Sequence, residues 1–311
     1  MTNLKDHILI YLKGLSMGAA DIVPGVSGGS IALITGIYTR LLDGIKSIDR
    51  FSLSLLLKGK INEFWKSIDG TFLLLLLLGI LTSIFSMSKL ITHLMDNHPI
   101  LLWSFFCGLI LVSAVLVLRD IQKITMGVLI AFAIGTAAAY WVTGLPPIGS
   151  PDAWWFTFVS GAIAICAMIL PGISGSFILL ILGQYERILA AVNEKNFLLL
   201  GLFGIGCVVG LLSFSRLVSW LLHKFPATTI GLLAGFMVGS INKLWPWKNV
   251  LSFRLNSKGE EVPFLTENVM PSSFFELTGQ DPQVVGALVS FVVGLALVLV
   301  IERTADYLKK R

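Results

Sequence analysis

Hydrophobic residues run in blocks along this chain, and the first block breaks early. Residues 8–22 are largely apolar, a stretch of 15 residues that at about 1.5 Å per residue is too short to cross a hydrocarbon core about 30 Å thick. The run Pro24-Gly25-Val26-Ser27-Gly28-Gly29 cannot continue a helix comfortably, because proline removes a donor and glycine weakens helices. A second short apolar helix is predicted from about Ser30 to Leu42. Half-helix, broken tip and half-helix make a re-entrant hairpin or a discontinuous transmembrane helix, here over residues 8–44.

Residues 43–70 are polar and carry Lys46, Arg50, Lys58, Lys60 and Lys66, with a short amphipathic piece around Phe51–Leu57. Such a basic loop belongs on the cytoplasmic side. Spans are predicted over about 71–95, 99–118 and 124–142, the first two joined by a tight Asp96-Asn97-His98 turn. In the third, Gly127, Ala131, Gly135 and Ala139 recur every fourth residue, a small-residue face suited to close helix packing. The loop from Thr143 to Asp152 holds no Lys or Arg and reads as external, with Trp154 and Trp155 at the interface. A second broken hairpin follows over 155–192, its arms near 155–170 and 177–192. Further spans are predicted over 197–222, 226–242 and 282–302, the middle one carrying Gly231, Gly235 and Gly239. Residues 243–282 form a polar loop of mixed charge, too long for a turn and open to partial structure.

The two broken tips are copies of each other. Ile22 to Leu42 matches the segment 147 positions later at 12 of 21 positions, including Pro24/Pro171, Gly25/Gly172, Ser27/Ser174, Gly28/Gly175, Gly36/Gly183, Tyr38/Tyr185 and Arg40/Arg187. At an offset of 127, Gly79 aligns with Gly206, Ser88-Lys89-Leu90 with Ser215-Arg216-Leu217, Pro99 with Pro226 and Gly108 with Gly235. Each half, 1–145 and 146–311, is therefore one broken hairpin plus three spans. If both termini, the 43–70 loop and Arg119/Lys123 are cytoplasmic, each half crosses three times and the halves are inverted. Reading each broken segment as a full span gives a parallel repeat instead, but puts basic residues outside. The expected fold is an all-α polytopic membrane protein of two inverted repeats, each a re-entrant helical hairpin and three transmembrane helices.

Composition agrees with a membrane class. The 311 residues are 55% hydrophobic and 13% charged, with mean hydropathy +0.86 and net charge +5, far from an ordinary soluble domain. The basic residues lie between apolar blocks and form no tract, so nucleic acid is not an expected partner. Cys107, Cys166 and Cys207 lie inside apolar runs without paired spacing, and the four histidines are scattered, so neither a disulfide framework nor a metal site is expected. No cofactor is implied. The N-terminus resembles a weak signal peptide, but Lys13 interrupts it and the first motif follows directly, so retention is expected.

The paired tips carry the chemistry. In alternating-access transporters, broken helices meet near the midplane with their N-termini facing anionic groups. Free N–H groups and the positive end of the helix dipole would point into such a site. Gly28, Gly29 and Gly175 would let an anion approach the backbone, and Ser27, Ser30, Ser174 and Ser176 would donate hydrogen bonds, an arrangement suited to phosphate. Pro24, Gly25, Pro171 and Gly172 are the structural breaks. The Gly-Lys-Ser/Thr ending of a nucleotide-binding loop is absent. For a single copy, a mere tight turn between packed hairpins is the simpler account; two copies meeting from opposite faces favour a site. Asp21, whose repeat equivalent is Met168, either carries a coupling proton or caps the broken backbone around Gly25–Ser27. Arg40 and Arg187 should sit near opposite interfaces, as ordinary snorkelling residues or as captors of a headgroup phosphate. Lys89 and Arg216 form a similar, weaker pair.

The run Gly18-Ala19-Ala20-Asp21-Ile22-Val23-Pro24-Gly25-Val26-Ser27-Gly28-Gly29, with the later Leu170-Pro171-Gly172-Ile173-Ser174-Gly175-Ser176, resembles the bacterial polyprenyl-phosphate transporter family, PopT, over nearly the whole chain. The resemblance implies a lipid flippase of the cytoplasmic (inner) membrane that returns undecaprenyl phosphate from the outer to the inner leaflet for peptidoglycan and other envelope polymers. By that similarity the tips line the phosphate path. The residues alone reach only a membrane transporter with an anion site. They leave open a small-anion channel, which the same paired helix ends would suit. An enzyme finds no nucleophile, base and metal constellation to support it. The small-residue faces suit internal packing and a homodimer equally.

Overall fold

The computed structural model describes residues 4–23, 26–147, 151, 153–255 and 261–309. The breaks Pro24 and Gly25 lie outside the described residues. Among the described residues, six helices are long and apolar enough to cross a membrane: α6 (Gly70–Asn97), α7 (Pro99–Arg119), α8 (Met126–Thr143), α12 (Phe197–Lys224), α13 (Pro226–Leu244) and α15 (Val284–Lys309). They fall where the apolar blocks predict spans, and the chain is a multi-pass helical membrane protein. Pro99 and Pro226 open α7 and α13 at the position where a missing N–H is harmless. The turn before α7 is tighter than predicted, because α6 continues through Asn97 and only His98 separates the helices.

The motif segments fold back on themselves. From α1 (Leu4–Asp21) to α2 (Gly28–Ile34), Gly28 N–H donates to Asp21 Oδ1 at 2.7 Å, while Lys13 Nζ reaches Thr35 O at 2.7 Å. The second helix thus runs antiparallel to the first. In the other copy, α9 (Trp154–Ile169) and α10 (Gly175–Ile181) fold back likewise, with Gly175 against Met168 and Ala164, and Thr157 Oγ1 donating to Gln184 Oε1 at 3.2 Å.

The predicted second arms are not single helices. Each stops after seven residues, at Gly36 (φ 71°) or Gly183 (φ 65°), and resumes as α3 (Tyr38–Lys46) or α11 (Tyr185–Asn193). A left-handed backbone suits glycine and ends the helix, and the α10–α11 bend is 106°. The stretch after α3 is also more helical than a polar connection. It contains α4 (Arg50–Leu57), opened by a capping box between Asp49 and Ser52, and α5 (Ile61–Ser67).

Helices pack through glycines at matching places in the two halves. On α1, Gly14 abuts Leu76 and Gly18 abuts Ile80, so α1 runs parallel to α6; Gly161 abuts Phe203 and Gly206 abuts Phe158, so α9 runs parallel to α12. The faces of α8 and α13 pack on each other, Gly135 against Leu232 and Gly239 against Thr136. Both small-residue faces are therefore used inside the molecule. Helix α15 lies along α7, with Gly294 against Phe105, Gly108 against Phe291, and an Arg119–Glu302 ion pair at one end.

The 243–282 loop is not all-α. It holds an antiparallel hairpin, β1 (Lys248–Leu255) and β2 (Glu261–Asn268), then α14 (Pro271–Thr278). Trp245 and Trp247 fasten the hairpin, donating to Val269 O and Pro282 O, each at 2.8 Å, while Phe274 of α14 packs with Ile100 and Ala287.

Candidate functional site: two interlocked hairpin tips

The two tips meet inside the bundle. Ser27 sits in extended backbone (φ −127°, ψ 135°) before α2; its Oγ accepts from Gly29 N–H at 3.1 Å and donates to Met168 O of the other hairpin at 3.0 Å. Ser30 Oγ accepts from Gly172 N–H at 2.9 Å, and Tyr38 O–H donates to Ile169 O at 3.1 Å. These three bonds are side chain to backbone, and they join groups that the local fold of each tip leaves without partners. Val23 and Val26, both fully buried, anchor the first tip among Leu109 and Ile110 of α7 and Met237 of α13.

The tip glycines are closely packed in this structure. A Cβ on Gly28 would lie 2.6 Å from Asp21 Oδ2, and one on Gly29 would lie 2.6 Å from Ile169 O. The space left by the missing side chains is filled by a carboxylate and by the backbone of the facing hairpin. At Gly172 (φ 89°), a Cβ would lie 2.6 Å from Ser240 Oγ on α13.

The tips are also unequal. Gly28, Gly29 and Ser30 are buried, and the start of α2 is already occupied by the Asp21 carboxyl group. Helix α10 has no side-chain cap; the Ser174 and Ser176 hydroxyls are hydrogen-bonded to each other at 2.8 Å, and Ser176 is exposed. Met168, where a second Asp21 would stand, instead lends its carbonyl to Ser27.

The arginines lie away from the tips, on α3 and α11 beyond the glycine breaks. Arg40 forms a two-point ion pair with Asp69 (2.6 and 3.1 Å), stacks over Phe72, and lines a cavity of about 400 Å³ with Thr39, Asp43 and Lys66. Arg187 Nη1 donates to Pro151 O at 3.4 Å. Arg216 donates to Leu212 O and Ile48 O rather than to an acid. Among the described residues no cluster of His, Cys, Asp and Glu could hold a metal ion. Sequence reasoning missed the joining role of Tyr38, although its presence in the duplicated segment was the available signal.

Two folded-back hairpins locked at their tips within six long apolar helices define a polytopic membrane protein of the broken-helix class. Residues 17–262 match the family described as VCA0040-like: Undecaprenyl phosphate translocase-like. The chain is 48% identical over 301 residues to a protein of Vibrio cholerae named polyprenyl-phosphate transporter, covering 97% of this chain and 98% of that one. It is 34% identical over 253 residues to a Staphylococcus aureus protein of the same name, covering 76% and 85%. The chain belongs to the polyprenyl-phosphate transporter family. No solved structure matches it.

Proposed function

We propose that this chain carries a polyprenyl phosphate, undecaprenyl phosphate, from the outer to the inner leaflet of the bacterial cytoplasmic membrane, recycling the carrier lipid of cell-envelope synthesis. The observation that carries the reading is the junction of the two tips. In this reading the halves 1–145 and 146–311 are inverted repeats with both termini cytoplasmic. The parallel packing of α1 with α6, α9 with α12 and α8 with α13 supports the inverted arrangement, because re-entrant hairpins in a chain alternating across the bilayer give these three parallel pairs; the cytoplasmic termini rest on the placing of basic loops.

Three cross-tip hydrogen bonds, at about 0.5–1.5 kcal/mol net each, are worth a few kcal/mol together. That is the size of gap over which conformations interconvert. The junction can therefore part and reform as one half rocks against the other, which is alternating access around a central site. Ser174 and Ser176, at the less covered tip, supply hydroxyl donors to a passing phosphate. Arg40 and Arg187 receive the headgroup at the two interfaces, Arg40 exchanging Asp69 for phosphate. Coupling to a proton or another ion is part of the proposal. No catalytic role is assigned.

The test is leaflet exchange of labelled undecaprenyl phosphate in proteoliposomes. Ser27→Ala/Ser174→Ala is expected to slow exchange by about tenfold, the equivalent of about 1.4 kcal/mol, and Arg40→Ala/Arg187→Ala to slow it as well, with no ionic current from wild type. Anion current without protein-dependent lipid exchange would replace this reading with a channel.

A further inference from the structure

A second polar feature lies at the far end of α10 and α13, away from the tip junction. Lys243, in the last turn of α13, and Lys248, at the start of β1, line a cavity of about 340 Å³. Lys248 Nζ donates to Lys243 O at 2.6 Å and lies 4.2 Å over the Trp103 ring; Lys243 Nζ lies 4.5 Å over the Phe177 ring. Among the described residues neither ammonium has a carboxylate partner. Aromatic faces and one carbonyl stabilise a cation only in part. Burial, then the neighbouring Lys243 ammonium, push Lys248 down to about 7.

The cavity is built rather than incidental. Asn268 Nδ2 donates to Asn242 O and Oδ1 at 2.7 and 2.9 Å, and Asn242 Nδ2 donates to Thr143 Oγ1 at 3.2 Å, so β2, α13 and α8 are tied together around it. Its opposite wall is apolar, made by Phe177, Leu180 and Ile181 of α10. Tyr140, also in the lining, is 61% exposed on the outer surface of α8.

We propose that this cavity docks the headgroup of a lipid monophosphate, with Lys243 and Lys248 neutralising the phosphate and the α10 wall receiving the first isoprenoid carbons. A phosphomonoester carries a charge of about −1.5 to −2 at neutral pH, which two ammonium groups match. The apolar wall selects a lipid phosphate over free phosphate, since burying each methylene contributes about 0.8 kcal/mol. Helix α10 connects this cavity to the second tip, because Ser176 and Ile181 lie only about 8 Å apart along its axis. The choice of a lipid, and of the outer leaflet as its source, rests on the translocation reading above; the anion site does not.

The probes are geranyl phosphate, geraniol and inorganic phosphate, added to the full-length protein in detergent. Binding is read by tryptophan fluorescence, to which Trp103 contributes through its contact with Lys248. Geranyl phosphate is expected to bind about tenfold or more tightly than either other probe. Lys243→Gln/Lys248→Gln should weaken it by about tenfold at unchanged Tm, and Lys243→Arg/Lys248→Arg should hold it within about threefold. On wild-type protein, which removes any question of folding, geranyl phosphate should slow acetylation of both lysines and leave Lys58 unaffected. Equal acetylation with and without the probe, or wild-type affinity in the glutamine pair, overturns the site. Inorganic phosphate binding as tightly as geranyl phosphate overturns the lipid assignment. The same variants in the leaflet-exchange assay separate the two ideas. Exchange by wild type with lysine-independent binding removes the cavity and keeps translocation, whereas lysine-dependent binding without exchange does the reverse.

Discussion

Gly29→Ala is expected to reduce leaflet exchange of lipid phosphate to about a tenth of wild type or less, equivalent to about 1.4 kcal/mol or more. The new methyl would sit 2.6 Å from Ile169 O and 3.1 Å from Met168 O and Ser27 Oγ. Two of those three atoms are backbone of the facing hairpin, which cannot rotate away as a side chain can. Overpacking of this kind costs about 1–3 kcal/mol, and the direct relief is to separate the tips. Separation stretches the Ser27–Met168 and Ser30–Gly172 bonds, which hold the junction at 3.0 and 2.9 Å. Gly201→Ala is the control, because nothing lies within 4 Å of a Cβ placed there. Both variants should be measured for exchange and for Tm. Wild-type exchange by Gly29→Ala would mean that close docking of the tips is unnecessary, and the proposed mechanism would fall with it.

The six long helices were legible because membrane spans announce themselves locally, as apolar blocks of the right length punctuated by proline, glycine and charge. The fold-back at each tip was legible for the same reason. What lay beyond local reading was the identity of the group filling each tip. Gly28 and Gly29, read as openings for a bound anion, also accommodate Asp21 and the backbone of a hairpin some 140 residues away in sequence. Spacing alone cannot distinguish room for a ligand from room for another part of the chain. The stops at Gly36 and Gly183 had a local signal that repeat identity obscured: a glycine followed two residues later by tyrosine marked a helix end and restart. Lys243 and Lys248 were read as part of a mixed-charge loop. Their signal was positional, since the proposed inverted arrangement of the halves would put these lysines on the side where basic residues are scarce.

Asp21→Ala is expected to slow exchange by about tenfold and lower Tm, whereas Asp21→Asn should remain within about threefold of wild type and respond to an imposed proton-motive force as the wild type does. The carboxylate accepts the Gly28 N–H at 2.7 Å, a charge-assisted bond at the positive end of a helix. Alanine leaves that buried N–H without a partner, at about 1–3 kcal/mol, and opens a void where Asp21 Oδ2 fills the place of a Gly28 side chain. Asparagine keeps an acceptor oxygen of the same reach, loses the charge and carries an NH2 in place of the second oxygen. A group that carries the coupling proton must titrate, and asparagine cannot; a group that pins the tip need only accept a hydrogen bond, and asparagine can. Loss of proton-motive-force dependence in Asp21→Asn at unchanged Tm would therefore make Asp21 the coupling group and not the anchor. The second tip bears on the same choice. There Met168 occupies the equivalent position and α10 starts without a side-chain cap, so of the two tips the buried one is pinned by a carboxyl group, while the proposed phosphate donors lie at the tip with the exposed Ser176.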